Sequence, residues 1–266
     1  MLEYARLAVV VPAHNEERWI AETVSRMPAC VDHVIVVDDA SGDGTAREAA
    51  RVGDARVEVI RHADNRGVGA AIVTGYQRAR ALGADVAAVM AGDGQMHPDD
   101  LTAVVLPVVR GEADYVKGNR LAYPGAWRTM PPARLAGTAA LAWLTRHAAG
   151  LARLEDSQCG FTAISMGALD ALGDELSALW PRYGYPNDLL GALALRGQRI
   201  GEAVVRPVYR GEASGLRAWH LATIGFVIGR VAYRRLSSVG KEGGASSPVE
   251  VVLGHASVDH DRRFCA

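Results

Sequence analysis

The sequence predicts an α/β fold, a mostly parallel twisted sheet flanked by helices in a single domain, and three observations carry that expectation. Four apolar runs of strand length alternate with segments whose apolar residues recur at helical spacing. Each run stops at a cluster of Gly, Pro, Asp, Asn or Ser, the residues that turn a chain. With 266 residues, 49% of them hydrophobic, there is material for one large domain with a buried core.

Leu7 to Val11 is the first run, and Pro12-Ala13-His14-Asn15-Glu16 ends it. Ile20, Thr23, Val24 and Met27 then recur with the period of an amphipathic helix. His33 to Val37 is the second strand and runs straight into Asp38-Asp39-Ala40-Ser41-Gly42-Asp43-Gly44-Thr45. Arg56 to Ile60 is the third, ended by the stretch from Asp64 to Gly69; the helix after it, about Ala70 to Leu82, carries Ile72, Tyr76 and Ala79 on one side. Val86 to Met90 is the fourth, and it stops at Ala91-Gly92, where small residues permit a sharp turn. Asp93 and Gln95 follow, two oxygen ligands one residue apart that suit Mg²⁺ or Mn²⁺ carrying substrate phosphates. His97-Pro98 with Asp99-Asp100 reads as a helix N-terminus.

Strands alternating with helices pair in parallel, and right-handed crossovers place their C-terminal ends on one edge of the sheet. Four polar clusters, Pro12 to Glu16, Asp38 to Thr45, Asn65 to Gly69 and Asp93 to His97, lie at that edge, where open α/β sheets bind ligands. A purely structural sheet needs turns there, but it has no need of acids at three of the four.

Several function classes are excluded. A net charge of −1 leaves no basic footprint for nucleic acid. Gly67-Val68-Gly69-Ala70-Ala71-Ile72 fails the dinucleotide fingerprint at its third glycine, and no GxxxxGK[ST] occurs. Cys30, Cys159 and Cys265 are widely spaced in no CxxC pattern, so neither a zinc site nor a disulfide framework is expected. Residues 1–6 run into the first strand without a basic-then-apolar leader, and no apolar run reaches the ~18 residues of a membrane span. A cytoplasmic location, peripheral at the inner face of the membrane, is the expectation.

The second half opens with a short strand, Asp114 to Lys117, leading into Gly118-Asn119-Arg120. Tyr123 to Pro132 reads as a mobile loop in which Trp127 and Arg128 either touch an acceptor or form a surface connection with a buried Trp. Arg134 to Ala149 is a core helix whose first residue is also placed to reach phosphate. Asp156 to Phe161 turns into the strand Thr162 to Ser165; Asp156 is placed to reach the sugar or acceptor, and Cys159 reads as a small buried residue. Tyr183 to Asp188 introduces the helix Leu189 to Leu195, before the strand Ile200 to Val205. From Ala218 to Leu236, aromatic and aliphatic residues flanked by arginines suit a membrane-surface helix, a core helix or a homodimer contact. Residues 237–266 have no clear period and read as a flexible or loosely docked tail. The organisation is thus a domain over 1–217, a helix over 218–236 and a tail.

Six of these stretches, in this order, resemble the family 2 inverting glycosyltransferases, most closely the branch containing dolichol-phosphate mannose synthase. They are Pro12 to Glu16, Asp38 to Thr45, Asn65 to Gly69, Gly92 to Pro98, Lys117 to Arg120 and Asp156 to Phe161. The resemblance implies a GT-A fold binding a nucleoside diphosphate sugar. By position it implies Pro12, His14 and Glu16 in the nucleotide pocket with Gly67, and Asp39 on the base or ribose. Asp93 and Gln95 fall at the divalent metal and diphosphate, and Arg120 at phosphate. Arg210 and Arg217 lie in the loop that closes over the diphosphate and stabilises the leaving group. The family usually begins its metal motif with Asp, and Ala91 stands there instead, which weakens the metal site or shifts its burden to neighbours. Asp188 matches the acid that serves as general base for a hydroxyl acceptor, and equally fits an ordinary helix cap; an ionised phosphate acceptor needs no base. The expected reaction moves a sugar from a UDP- or GDP-sugar to a polyprenyl phosphate or a small hydroxylated acceptor. Ala91 motivates a second reading, a nucleotide-sugar-binding protein with weak catalysis. A sugar-1-phosphate nucleotidyltransferase is a third, for which Pro12 to Glu16 lacks the glycine-rich basic loop.

Overall fold

The computed structural model describes residues 2, 3, 5–209, 218–242 and 251–254. β1 (Leu7–Ala13) is followed by α1 (Ile20–Ser25), β2 (His33–Asp38), α2 (Thr45–Arg51), β3 (Val57–Arg61), α3 (Val68–Ala81) and β4 (Val86–Val89). A 3-10 turn, Pro98–Asp100, then opens α4 (Leu101–Val109), as the Pro-Asp-Asp sequence predicts. There follow β5 (Tyr115–Asn119), a one-turn α5 (Ala126–Thr129), α6 (Pro132–Ala149), β6 (Thr162–Ser165), α7 (Met166–Leu172) and α8 (Glu175–Ala178). Finally come α9 (Tyr185–Leu195), β7 (Ile200–Val204), α10 (Ala218–Glu242) and β8 (Val251–Gly254).

The eight strands form one sheet in the order β3-β2-β1-β4-β6-β5-β7-β8. Every neighbouring pair is parallel except those of β6, which runs antiparallel to both β4 and β5. That reversal matters for the site. Thr162, the first residue of β6, pairs with Val89 near the end of β4 and with Lys117 in β5. The turn before β6, with Asp156, therefore reaches the edge where the parallel strands end.

Period-2 alternation divides the core between the two faces. Ala8 and Val10 of β1 face a cluster with Ile35, Tyr76, Leu189 and Ile228, under α3, α9 and α10. Leu7, Val9 and Val11 face the other way, with Ile20, Val24, Leu101 and Val104 of α1 and α4. With both faces covered, β1 is buried along its whole length, which is why it reads as a continuous apolar run.

The structure corrects several expectations. The Tyr123 to Pro132 loop contains the turn α5, and its Trp127 is 66% exposed, not buried. The final helix continues past Leu236 to Glu242. Val251–Gly254, within the stretch read as a tail, adds a parallel edge strand beside β7. Cys30 is disulfide-bonded, whereas Cys159 is a free, buried thiol. Arg210 and Arg217 lie outside the described residues.

Candidate active site

Strand order reverses between β1 and β4: β2 and β3 extend to one side of β1, and the chain resumes on the other. This is the crevice where doubly wound sheets bind ligands. Gly92, in the turn leaving β4, donates its N–H to Pro12 O at 3.2 Å. A Cβ on it would stand 2.9 Å from Ile20 Cδ1 and 3.2 Å from Ala13 Cβ, so glycine lets the turn lie this close to β1 without displacing either side chain.

Three strand-end turns interlock beside that crevice. His14 is bound through Nδ1 to Asp39 O at 2.9 Å, which makes Nδ1 the donor and leaves Nε2 to accept from the side-chain amides of Asn15 at 3.1 Å and Asn65 at 3.2 Å. Ser41 Oγ accepts Asn15 N–H at 2.9 Å, Asn15 Oδ1 accepts Gly42 N–H at 2.9 Å, and Thr45 Oγ1 accepts Glu16 N–H at 2.8 Å. Asn15 and Ala40 hold positive φ, 60° and 57°, a conformation that L-residues adopt at a cost. The hydrogen bonds across the turns offset it.

Asp39, predicted to touch the base or ribose, is only 3% exposed. Its oxygens accept from Arg66 N–H at 2.9 Å, Gly67 N–H at 2.6 Å and His62 Nδ1 at 2.7 Å. It therefore moulds the third turn onto the first two. Gly67 has φ of 97° and caps α3; a Cβ there would meet Pro181 O and Arg182 Cγ at 2.5 Å.

Asp93 and Gln95 are half-buried, and Asp93 Oδ1 accepts Gln95 N–H at 2.9 Å, which fixes the carboxylate. Among the described residues no group of three or more His, Cys, Asp or Glu side chains is placed to hold a metal. One carboxylate and one amide still fit Mg²⁺ or Mn²⁺ of the kind that draws most of its oxygens from phosphates and water.

On the far side of the edge, Arg120 and Asp156 form a two-pronged pair, Nε to Oδ2 at 2.7 Å and Nη2 to Oδ1 at 3.0 Å. Asp156 is fully buried and also accepts from Gln158 N–H and Cys159 N–H. Burial pushes its pKa up, but the Arg120 charge and hydrogen bonds, with Lys117, outweigh that and hold it below the usual range. Lys117 is fully buried beneath, donating to Cys159 O. Neither Arg120 nor Asp156 is idle: each orients the other. Sequence reading missed the neighbouring pair in which Arg206 donates to Asp100, N–H to Oδ2 at 2.9 Å and Nε to Oδ1 at 2.8 Å. Its partners are 106 residues apart, so no local pattern announces it. Arg206 lines an open cleft of about 440 Å³ with Tyr123, Thr129 and Tyr209, and Arg134 stacks on the Tyr209 ring at 4.8 Å.

Asp188 is not the cap of its helix. The helix begins four residues earlier than predicted, at Tyr185 after Gly184 (φ 102°), with no side-chain cap. Asp188 thus falls in its first turn, fully buried, accepting Trp180 N–H at 2.8 Å and paired with Arg230 and Arg234 of α10.

The family model for glycosyl transferase family 2 matches residues 8–173. The chain is 32% identical over 216 residues to the UDP-N-acetylglucosamine--dolichyl-phosphate N-acetylglucosaminyltransferase of Methanococcus voltae, covering 76% of this chain and 85% of that one. It is 31% identical over 210 residues to the undecaprenyl-phosphate mannosyltransferase of Micrococcus luteus, covering 77% and 84%. Among solved structures, M. tuberculosis glucosyl-3-phosphoglycerate synthase superposes with a TM-score of 0.60 at 23% identity over 89% of this chain and 81% of that one, a likeness of fold. The same enzyme is also solved with Mn²⁺, uridine-diphosphate and glucosyl-3-phosphoglycerate, at a TM-score of 0.60 and 22% identity, covering 89% and 81%. With a family model covering more than half its length and relatives matched over three quarters of it, this α/β chain belongs to glycosyl transferase family 2 and is a glycosyltransferase.

Proposed function

We propose that the chain transfers a sugar from a nucleoside diphosphate sugar to a lipid phosphate, with inversion. One observation carries the choice of acceptor. Asp188, the acid matched to a general base, is fully buried and tied to two arginines and a backbone N–H. A hydroxyl acceptor needs a base at hand; a phosphate monoester is already ionised at neutral pH. Its oxygen attacks the anomeric carbon as the bond from that carbon to the diphosphate breaks, and the nucleoside diphosphate departs with the electron pair. Two relatives named for lipid-phosphate acceptors support the same reading.

In this reading Pro12, His14, Glu16 and Gly67 line the nucleotide pocket, and Arg120, Arg210 and Arg217 are the residues that bind the phosphates. Asp93 and Gln95 hold Mg²⁺ or Mn²⁺, which when bound neutralises the diphosphate; a neighbour of the same fold is solved with Mn²⁺ and UDP. A cytoplasmic enzyme at the membrane surface meets both substrates. Ala91 favours one competitor, a protein that binds the nucleotide sugar without turnover.

Incubation with UDP- and GDP-sugars and a polyprenyl phosphate tests the proposal. Free nucleoside diphosphate and a glycosylated lipid are expected, with activity falling at least about a hundredfold in Asp93→Ala, as when one electrostatic stabiliser of the leaving charge is lost. Tight nucleotide-sugar binding without turnover for any acceptor would favour the competitor.

A further inference from the structure

Asp188 anchors a segment that reaches the donor side of the site. From Trp180 to Gly184 the chain is wedged between α10 and the turn that opens α3. On one flank, Pro181 O accepts Gly69 N–H at 2.8 Å and Ala70 N–H at 3.2 Å, satisfying N–H groups that the first turn of a helix leaves open. Arg182 donates to Asn65 Oδ1 at 2.9 Å and Asn65 O at 2.7 Å, and Asn65 in turn reaches His14. The contact is so close that a Cβ on Gly69 would lie 2.7 Å from Trp180 O. On the other flank, Tyr183 stacks on His220 at 3.8 Å, Trp180 meets Phe226 at 5.9 Å, and a Cβ on Gly184 would stand 3.0 Å from Val227 Cγ2.

One buried carboxylate fixes this wedge from behind. Asp188 receives the N–H of Trp180, the wedge's first residue, while Arg230 and Arg234 hold it against α10. We propose that Asp188 is a positioning residue for donor binding: it seats the Trp180–Gly184 wedge against the Asn65–Gly69 turn and so sets the affinity for the nucleotide. This rests on the reading that the turn, with His14, lines the nucleotide pocket.

The positioning role and the base role predict opposite kinetics, because loss of ground-state positioning raises KM whereas loss of a proton acceptor lowers kcat. Asp188→Asn is expected to raise the donor KM about tenfold while kcat stays within about threefold. A kcat loss of a hundredfold or more with KM unchanged would make Asp188 the base and overturn the proposal. Should that variant fail to fold, Arg182→Ala alters only an exposed side chain of the same wedge and is expected to raise the donor KM in the same direction; an unchanged KM there also overturns it. Calorimetric titration of UDP and GDP into wild type, Arg182→Ala and His14→Ala separates the two levels. If His14→Ala binds nucleotide as wild type does, the pocket reading fails and the proposal with it. If His14→Ala loses affinity and Arg182→Ala does not, the pocket stands and the wedge has no part in it.

Discussion

Asp39 shows how one side chain can be legible in place while its partners in the fold are not. Its position after a strand, in an Asp-Asp-Ala-Ser-Gly run, marks it from the sequence as a ligand-site acid. Its partners, His62, Arg66 and Gly67, are 23 to 28 residues away, and no local pattern announces them. Burial pushes its pKa up more than any other single influence. Together, the hydrogen bonds from Arg66, His62 and Gly67 outweigh burial and leave it below the ordinary 3.8. A carboxyl depressed in the folded state stabilises the fold fully above the unfolded value, and that contribution is lost as pH falls through the lower folded value. Asp39→Asn keeps the shape but sets an amide N–H₂ against backbone donors, a loss of about 1–3 kcal/mol. Urea unfolding of both proteins at pH 7 and pH 3 is the measurement. The gap between them should be full at pH 7 and smaller at pH 3, where protonation weakens the wild-type carboxylate as well; an equal gap at both would mean ionisation contributes nothing.

At the scale of the element, α3 was readable from its spacing, since Ile72, Tyr76 and Ala79 do pack into the core. Gly75 was not. Glycine inside a helix ordinarily costs roughly 0.5–1 kcal/mol against alanine, but here a Cβ would stand 2.1 Å from Val10 Cγ1 in β1. Overpacking of that kind costs about 1–3 kcal/mol and outweighs the helical gain. Gly75→Ala is therefore expected to be destabilising by about 1–2 kcal/mol, and Val10→Ala added to it to cost less than the two single changes summed, as denaturant midpoints will show. Other misreadings have similar causes. Four residues, Thr162 to Ser165, form a strand without any sign of its direction, so the antiparallel β6 came only from the fold. α9 begins at Tyr185 because Gly184 takes the left-handed turn and Pro186 tolerates the first helical positions, and that shift of one turn carries Asp188 from the expected cap position into the buried first turn.

Over the whole molecule, α10 has one side in the core and the other exposed. Ile224, Val227, Ile228 and Val231 are buried against α6 and α9, the core reading. Trp219, Phe226 and Tyr233, seven residues apart, remain 61%, 62% and 72% exposed on the opposite side, and on α6 Trp143 and Leu144 are 55% and 44% exposed. No helix among the described residues is long and apolar enough to cross a membrane. The exposed aromatic stripe of α10 instead suits a lipid surface, where aromatic rings sit at the level of the headgroups. It is also the surface at which a lipid phosphate acceptor is presented, so surface binding and acceptor capture belong together in the proposed reaction. Each large apolar side chain fully buried is worth about 1.5–3 kcal/mol, and replacing Trp219, Phe226 and Tyr233 together by Ser should weaken binding to polyprenyl-phosphate vesicles by at least about tenfold. Co-sedimentation with vesicles reads that loss. If the triple variant sediments with vesicles as wild type does, and wild type alone shows a concentration-dependent dimer by sedimentation velocity, the face meets a second copy of the chain and not a membrane.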